Sequence, residues 1–357
     1  MEKRVRKHQQ KNISKPDKID VVFLPYKAAM WDSLESVWLA AAEDPQCDAY
    51  VIPIPYYDKN PDGTLGQMHY EGKQYPDYVP VVNWRSYDIE NRRPDIIYVH
   101  NPYDEYNPAT SVHPDFYSIR LKNFTDMLVY IPYYVSVDDD VDKDFCVLPG
   151  TLYADKVIVQ SEAVRQVYIR EFKEAEKAFD CVGQFGNADE KFLALGSPKF
   201  DKALAVRSED CQIPDEWRRL IERPDGTRKK VILYNTTFGS ILEGDEKYLH
   251  KIRCVFGCFR GRDDAVLLWR PHPLSAAAYR SMRPQFLEEY ENIVSEYKQQ
   301  VLGIYDDTPD VHRAIAVSDA YYGDQSSLVV LYQQTGKPIM IQNKNIISVN
   351  LIRKAYQ

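Results

Sequence analysis

Between Val266 and Ile341 the chain repeats one pattern: a short apolar run stops abruptly in charged or hydroxyl-bearing residues. Val266-Leu267-Leu268-Trp269 runs into Arg270-Pro271-His272-Pro273, and Leu302-Gly303-Ile304-Tyr305 runs into Asp306-Asp307. Ala320-Tyr321-Tyr322 runs into Gly323-Asp324-Gln325-Ser326-Ser327. Short apolar runs without alternation predict strands buried on both faces, as in a parallel sheet. The intervals Val311 to Val317 and Leu328 to Gln334 predict helices. Gly336-Lys337-Pro338 predicts the turn into a last strand, Ile339-Met340-Ile341. Such alternation leads to a doubly wound α/β sheet. Ligands bind there beyond the carboxyl ends of the strands, where this sequence places its polar residues.

Those polar residues suit an anionic, phosphorylated ligand. Arg270 and His272 are held at a strand end by rigid prolines. The Gly323 to Ser327 turn opens a helix, whose first N–H groups and dipole favour phosphate, with Ser326 and Ser327 as added donors. The alternative is that one of these serines simply caps the helix. Upstream, the predicted strand Lys230 to Tyr234 runs into Asn235-Thr236-Thr237-Phe238-Gly239-Ser240, a second hydroxyl-rich turn. A helix is predicted from Asp245 to Arg260.

The first half of the chain reads as a separate α/β unit. Ile19 to Leu24 predicts a strand, Met30 to Ala42 a helix and Ala49 to Pro55 a second strand. No GxGxxG follows the first strand, so a dinucleotide fingerprint is absent. Residues 58–86 are polar and strand-poor, with a turn at Asn60-Pro61-Asp62-Gly63 followed by His69, Tyr70, Gly72 and Tyr75. They read as an acceptor-side loop or as a plain surface excursion. Strand Ile96 to Val99 delivers His100-Asn101-Pro102-Tyr103-Asp104 at its carboxyl end. His100 is a candidate general base; the alternative is a histidine hydrogen-bonded near the strand end. His113 is a weaker candidate. Helix Phe116 to Thr125, strand Met127 to Ile131 and strand Leu152 to Gln160 follow. Ser161 then caps a helix running to about Phe179. The expected division is a basic tail over 1–18, a first domain over 19–202, a linker over 203–229 and a second domain over 230–357.

Composition excludes several classes. Net charge is −8, which argues against a nucleic-acid partner held by overall charge. The six cysteines show no CxxC spacing and Cys254/Cys258 has no matching ligand cluster, so zinc is not expected. Scattered cysteines in a chain of this size fit a reducing cytoplasm. No apolar run approaches the roughly 20 residues of a membrane span. The tail MEKRVRKHQQKNISKPDK reads as a solvated segment; the alternative is a peripheral contact with anionic lipid.

Six short motifs, in this order and spacing, resemble the CDP-glycerol-dependent glycerophosphotransferases, the teichoic-acid polymerase and primase family. They are Arg270-Pro271-His272-Pro273, Asp306-Asp307, Pro309-Asp310-Val311, Ser318-Asp319, Asp324-Gln325-Ser326-Ser327 and Lys337-Pro338-Ile339. Gln325 stands where the family has Tyr. Two weaker matches precede them. Gly196-Ser197-Pro198-Lys199-Phe200-Asp201 is similar to the family's Gly-x-Pro-Arg-Asn-Asp, with Lys199 in the Arg position. Thr237-Phe238 matches its Thr-Phe-Arg, with Gly239 in the Arg position.

The resemblance implies a GT-B fold, two Rossmann-like domains facing across a cleft. The family's second domain continues beyond its Lys-Pro-Ile strand, whereas only Asn343 to Gln357 remain here, so that domain is expected to be short at its carboxyl end. The implied activity moves a glycerol-phosphate or related alditol-phosphate unit from a CDP-activated donor to a hydroxyl of a lipid-linked or polymeric cell-surface acceptor. The implied location is cytoplasmic, at the inner membrane face. His272 is expected to contact the breaking diphosphate. Arg270 either joins it or supports the loop. Thr237, Ser326, Ser327 and Lys199 are expected at the phosphates, and Asp306 and Asp307 at the donor's hydroxyls or the loop. No cofactor is expected, and no Asp-x-Asp setting calls for a metal. The family's Trp-His-Gly-Thr segment, whose His serves as base, is replaced by Pro132-Tyr133-Tyr134-Val135. His100 or one of Asp138, Asp139 and Asp140 takes that role, or the acceptor chemistry differs. A nucleotide-sugar transferase on the same fold and an inactive nucleotide-binding relative are the remaining alternatives.

Overall fold

The computed structural model describes residues 18–342. The predicted basic tail, apart from Lys18, and the segment after Gln342 lie outside the described residues. The chain divides into two compact units between Lys202 and Ala203.

Unit 1 carries the strands β1 (Ile19–Leu24), β2 (Cys47–Val51), β3 (Tyr56–Lys59), β4 (Leu65–His69), β5 (Ile96–Val99), β6 (Thr110–Val112), β7 (Met127–Tyr130), β8 (Lys156–Val159) and β9 (Phe192–Ala194). Six form a parallel sheet in the order β2-β1-β5-β7-β8-β9. Strand residues alternate between two apolar clusters. Val22, Leu24, Ile97, Val99, Leu128 and Tyr130 enter one, and Val21, Phe23, Val129 and Ile131 enter the other. Burial on both faces is why these strands read as unbroken apolar runs. Helix Glu162–Ala178 packs Val164, Tyr168 and Phe172 into the first cluster. Its start is fixed by Ser161 Oγ, which accepts from the Val164 N–H at 3.2 Å.

Several local expectations fail here. The strand-poor insert forms an antiparallel hairpin, β3–β4, extended by β6 in the order β4-β3-β6. The strand expected from Leu152 is first a helical turn, Pro149–Tyr153, and only then β8. The helix expected over Phe116 to Thr125 shrinks to Ser118–Leu121 after a 3-10 turn at Pro114–Phe116.

Unit 2 carries β10 (Lys230–Thr236), β11 (Ala265–Pro271), β12 (Ile304–Tyr305), β13 (Ala320–Gly323) and β14 (Ile339–Ile341). They form a parallel sheet in the order β12-β11-β10-β13-β14. Strand order therefore reverses between β10 and β13, and that crevice is where a doubly wound sheet opens to ligand. Helix Phe238–Phe259 packs Ile241, Leu249, Ile252 and Phe256 with Trp269 and Tyr297. Residues 203–229, expected as a linker, fall within unit 2. Helix Asp215–Ile221 buries Trp217 and Ile221, and the Arg313 guanidinium lies 4.7 Å from the Trp217 ring centre.

Candidate functional site at the carboxyl edge of unit 2

The strands β10, β11 and β13 meet at Asn235, Arg270 and Gly323. Gly323 has φ +154°, and a Cβ on it would sit 2.3 Å from the Asn235 carbonyl oxygen. Only glycine lets the two central strands close to this distance. The chain leaving β13 is thereby held against the exit of β10.

Asp324 then becomes the hub of the edge. It is 1% exposed. One carboxylate oxygen accepts from the Thr237 N–H at 2.7 Å and from the Tyr248 hydroxyl at 2.5 Å, and lies 3.1 Å from Thr237 Oγ1. The other accepts from Gln342 Nε2. Burial holds the Tyr248 hydroxyl well above its usual pKa, so it remains a donor. In the sequence Asp324 stands out only as part of the Asp324-Gln325-Ser326-Ser327 motif. Its one local signal is its place directly after a strand-end glycine.

Thr237 caps helix Phe238–Phe259, its Oγ1 accepting from the Ser240 N–H at 3.3 Å. Its hydroxyl thus serves the helix and Asp324. Ser326 occupies the N-cap position of helix Ser327–Gln333 but makes no capping bond. Its Oγ accepts from Asn235 Nδ2 at 3.1 Å, so the simple cap reading does not hold. Ser327 is exposed at the first helical position.

His272 leaves β11 beside this crevice. Its N–H donates to the Thr236 carbonyl at 2.8 Å. Its Nδ1 accepts from the Leu274 N–H at 3.1 Å, which assigns the ring proton to Nε2 in the neutral form. Burial lowers its pKa below the usual histidine value. Near pH 7 the half-buried ring is therefore a neutral N–H donor.

Arg270 and Asp306 are committed to each other. Asp306 is fully buried and ion-paired with Arg270 Nη1. Arg270 Nη2 donates to the Thr308 carbonyl at 2.7 Å, and Asp306 accepts from the Thr308 N–H and hydroxyl at 3.1 and 2.6 Å. The pair ties the loop after β12 to the end of β11. Asp307 is exposed and paired with Lys298 at 3.4 Å.

The two remaining candidates lie in unit 1. Lys199 pairs with Asp32 at 2.6 Å. His100 is fully buried. Its Nε2 accepts from the Tyr26 N–H at 3.0 Å, and its Nδ1 faces Ser33 Oγ at 2.9 Å. Burial above all drives its pKa down to about 3. Enclosed, neutral and bonded at both nitrogens, it braces the exit of β1 and does not fit a general base.

Two α/β units with parallel sheets define the GT-B class of folds. Two solved structures with TM-scores above 0.5 agree in fold. The putative UDP-N-acetylglucosamine 2-epimerase of Listeria monocytogenes is 14% identical with a TM-score of 0.52, over 95% of this chain and 87% of that one. The UDP-GlcNAc 2-epimerase of Methanocaldococcus jannaschii is 9% identical with a TM-score of 0.54, over 94% and 87%. The wall teichoic acid polymerase TagF is 18% identical with a TM-score of 0.47, over 91% and 69%. A comparison with curated proteins gave no match. The family model for CDP-glycerol:poly(glycerophosphate) glycerophosphotransferase matches residues 153–347, more than half of the chain. The chain belongs to that family, and it is an enzyme of the glycerophosphotransferase type.

Proposed function

We propose that the chain transfers a glycerol-phosphate unit from CDP-glycerol, or a related CDP-alditol, to a hydroxyl of a polymeric or lipid-linked acceptor. The donor diphosphate lies at the carboxyl edge of unit 2. The observation that carries this reading is His272, a neutral N–H donor fixed beside the β10–β13 crevice. As the acceptor oxygen bonds to the glycerol-bearing phosphorus, the bond from phosphorus to the CMP oxygen breaks. Negative charge grows on the departing phosphate, and the His272 Nε2–H meets it. The backbone N–H groups opening helix Phe238–Phe259 and the hydroxyls of Ser326 and Ser327 add to that field. Asp324 and the Arg270–Asp306 pair hold this edge in shape without touching the donor. A peripheral membrane location follows from a lipid-linked acceptor. Among the described residues no helix is long and apolar enough to cross a membrane.

Calorimetric titration with CDP-glycerol, CDP-ribitol, CMP and UDP-glucose tests the donor. Cytidine nucleotides should bind and UDP-glucose should not. The variant His272→Ala should lower turnover by about 100-fold or more, the usual cost of one charge-stabilising donor. Preference for UDP-glucose, or near-normal turnover in the variant, overturns the reading.

A further inference from the structure

We infer that Lys27 and the tyrosines at four strand ends of unit 1 form a subsite for one polyol-phosphate unit of the acceptor. The choice of ligand rests on the transferase reading above, and every residue of the subsite lies in unit 1. The dipeptide Pro-Tyr occurs four times in the sequence, as Pro25-Tyr26, Pro55-Tyr56, Pro102-Tyr103 and Pro132-Tyr133. Each copy follows a different strand, β1, β2, β5 and β7 in turn. These strands are neighbours in the sheet, in the order β2-β1-β5-β7. Backbone bonds carry the ladder on to the exits: the Ile54 N–H donates to the Pro25 carbonyl and the Ile131 N–H to the Val99 carbonyl, each at 2.9 Å. The prolines fix φ of the departing chain, and a row of tyrosines results along the carboxyl edge. Strand order reverses between β1 and β5, the position at which a doubly wound sheet takes its ligand.

Two of the tyrosines pave the edge and two reach solvent. Tyr26 and Tyr56 are buried, with ring centres 5.6 Å apart and planes at 84°. His100 braces the row, its ring centre 5.4 Å from that of Tyr26 and 6.4 Å from that of Tyr133. Tyr103 and Tyr133 are half-buried, with their hydroxyls 3.3 Å apart. A bond between these hydroxyls uses one of their two protons and leaves the other for an outside acceptor. Burial first, and then the neighbouring Tyr103, holds the Tyr26 and Tyr133 hydroxyls above the usual tyrosine pKa. Both therefore stay protonated donors near pH 7.

Lys27 supplies the charge. Its half-buried ammonium lies over the Tyr26 and Tyr56 rings at 5.3 and 5.0 Å. Ring faces hold a cation in place without neutralising it. Glu71 reaches the same strand exit, but its oxygens accept from the Ala28 N–H at 2.8 Å and the Tyr56 hydroxyl at 2.7 Å. Among the described residues no carboxylate pairs with Lys27. An ammonium with its charge unspent suits a phosphate. Tyrosines, apolar on the ring and polar at the tip, suit the C–H and O–H groups of a polyol. A glycerol-phosphate unit presents these groups side by side.

The test is calorimetric titration of the full chain with a synthetic glycerol-phosphate oligomer and, separately, with phosphatidylglycerol vesicles. Wild type should bind at least one of them, and Lys27→Met should weaken that binding by about tenfold or more, the usual weight of a charge-assisted hydrogen bond. Lys27→Arg, which keeps the cation, should bind within about threefold of wild type. Tyr133→Phe should cost about threefold or more. CMP affinity should be unchanged in all three variants. Binding of either ligand that depends on Lys27 supports the subsite, and which one binds tells whether the unit arrives on a soluble chain or on a lipid. Unchanged binding in Lys27→Met overturns it. So does a loss that Lys27→Arg shares, which marks a structural role, and so does inorganic phosphate that binds as tightly as the oligomer. A wild-type chain that binds the oligomer but not CMP removes the donor reading and leaves the subsite standing. One that binds CMP but neither polyol phosphate overturns the subsite and leaves the donor reading.

Discussion

His100 and His272 both leave the carboxyl end of a parallel strand, yet burial gives them opposite uses. His272 keeps part of its ring in reach of solvent and one nitrogen as a donor. His100 has both nitrogens inside the fold. Its depressed pKa makes the folded state resist protonation. Stability from this group is present above the unfolded value of 6.5 and is lost as pH falls toward about 3. Asp104 works in the other direction. It accepts from the Ser118 N–H at 2.7 Å and hydroxyl at 2.9 Å. Burial raises its pKa from 3.8 to about 7. Its contribution is complete below the unfolded value and is lost as pH rises through about 7. Asp104→Asn keeps an acceptor for the Ser118 N–H and suits the positive φ of 49°. In urea unfolding the variant should match wild type near pH 4 and exceed it by roughly 1–3 kcal/mol near pH 8. Equal stability at both pH values would show that the buried carboxylate carries no such penalty.

At the scale of elements, the unit 2 edge depends on how closely β10 and β13 approach. Gly323→Ala forces a Cβ into the Asn235 backbone. We expect a loss of at least about 2 kcal/mol in urea unfolding. Weaker CMP binding should accompany it, because the strand ends separate. A variant with unchanged stability and affinity would mean that the edge tolerates a wider gap. Some elements were legible in the sequence. β1, β5, β14 and helix Val311–Val317 have the expected bounds, because each is an apolar run between strong breakers. The β3–β4 hairpin was not. Tyr56–Lys59 and Leu65–His69 are short and largely polar, and their pairing depends on β6, which lies some 40 residues further on. Helix Phe238–Phe259 begins before its expected start at Asp245, because the Thr237 cap outweighs the glycines at 239 and 244.

At the scale of the whole molecule, each unit has its own parallel sheet and its own core. A donor held at the edge of unit 2 should therefore stabilise that unit. At CMP concentrations about 100 times Kd the expected gain is about 2.7 kcal/mol, seen by calorimetry as a rise in the transition containing unit 2. No shift at saturation would place the nucleotide elsewhere. The sequence by itself determined two parallel α/β units, the polar character of the strand ends and the motif order that marks the family. Those features depend on local periodicity and on residues adjacent in the chain. Only the tertiary structure decided which polar residues are used up within the fold. Arg270 meets Asp306, Asp324 gathers Thr237, Tyr248 and Gln342, His100 is enclosed, and Asp58 comes to His69. Each outcome follows from strand register and burial, which bring distant residues into one environment that no local stretch of sequence contains.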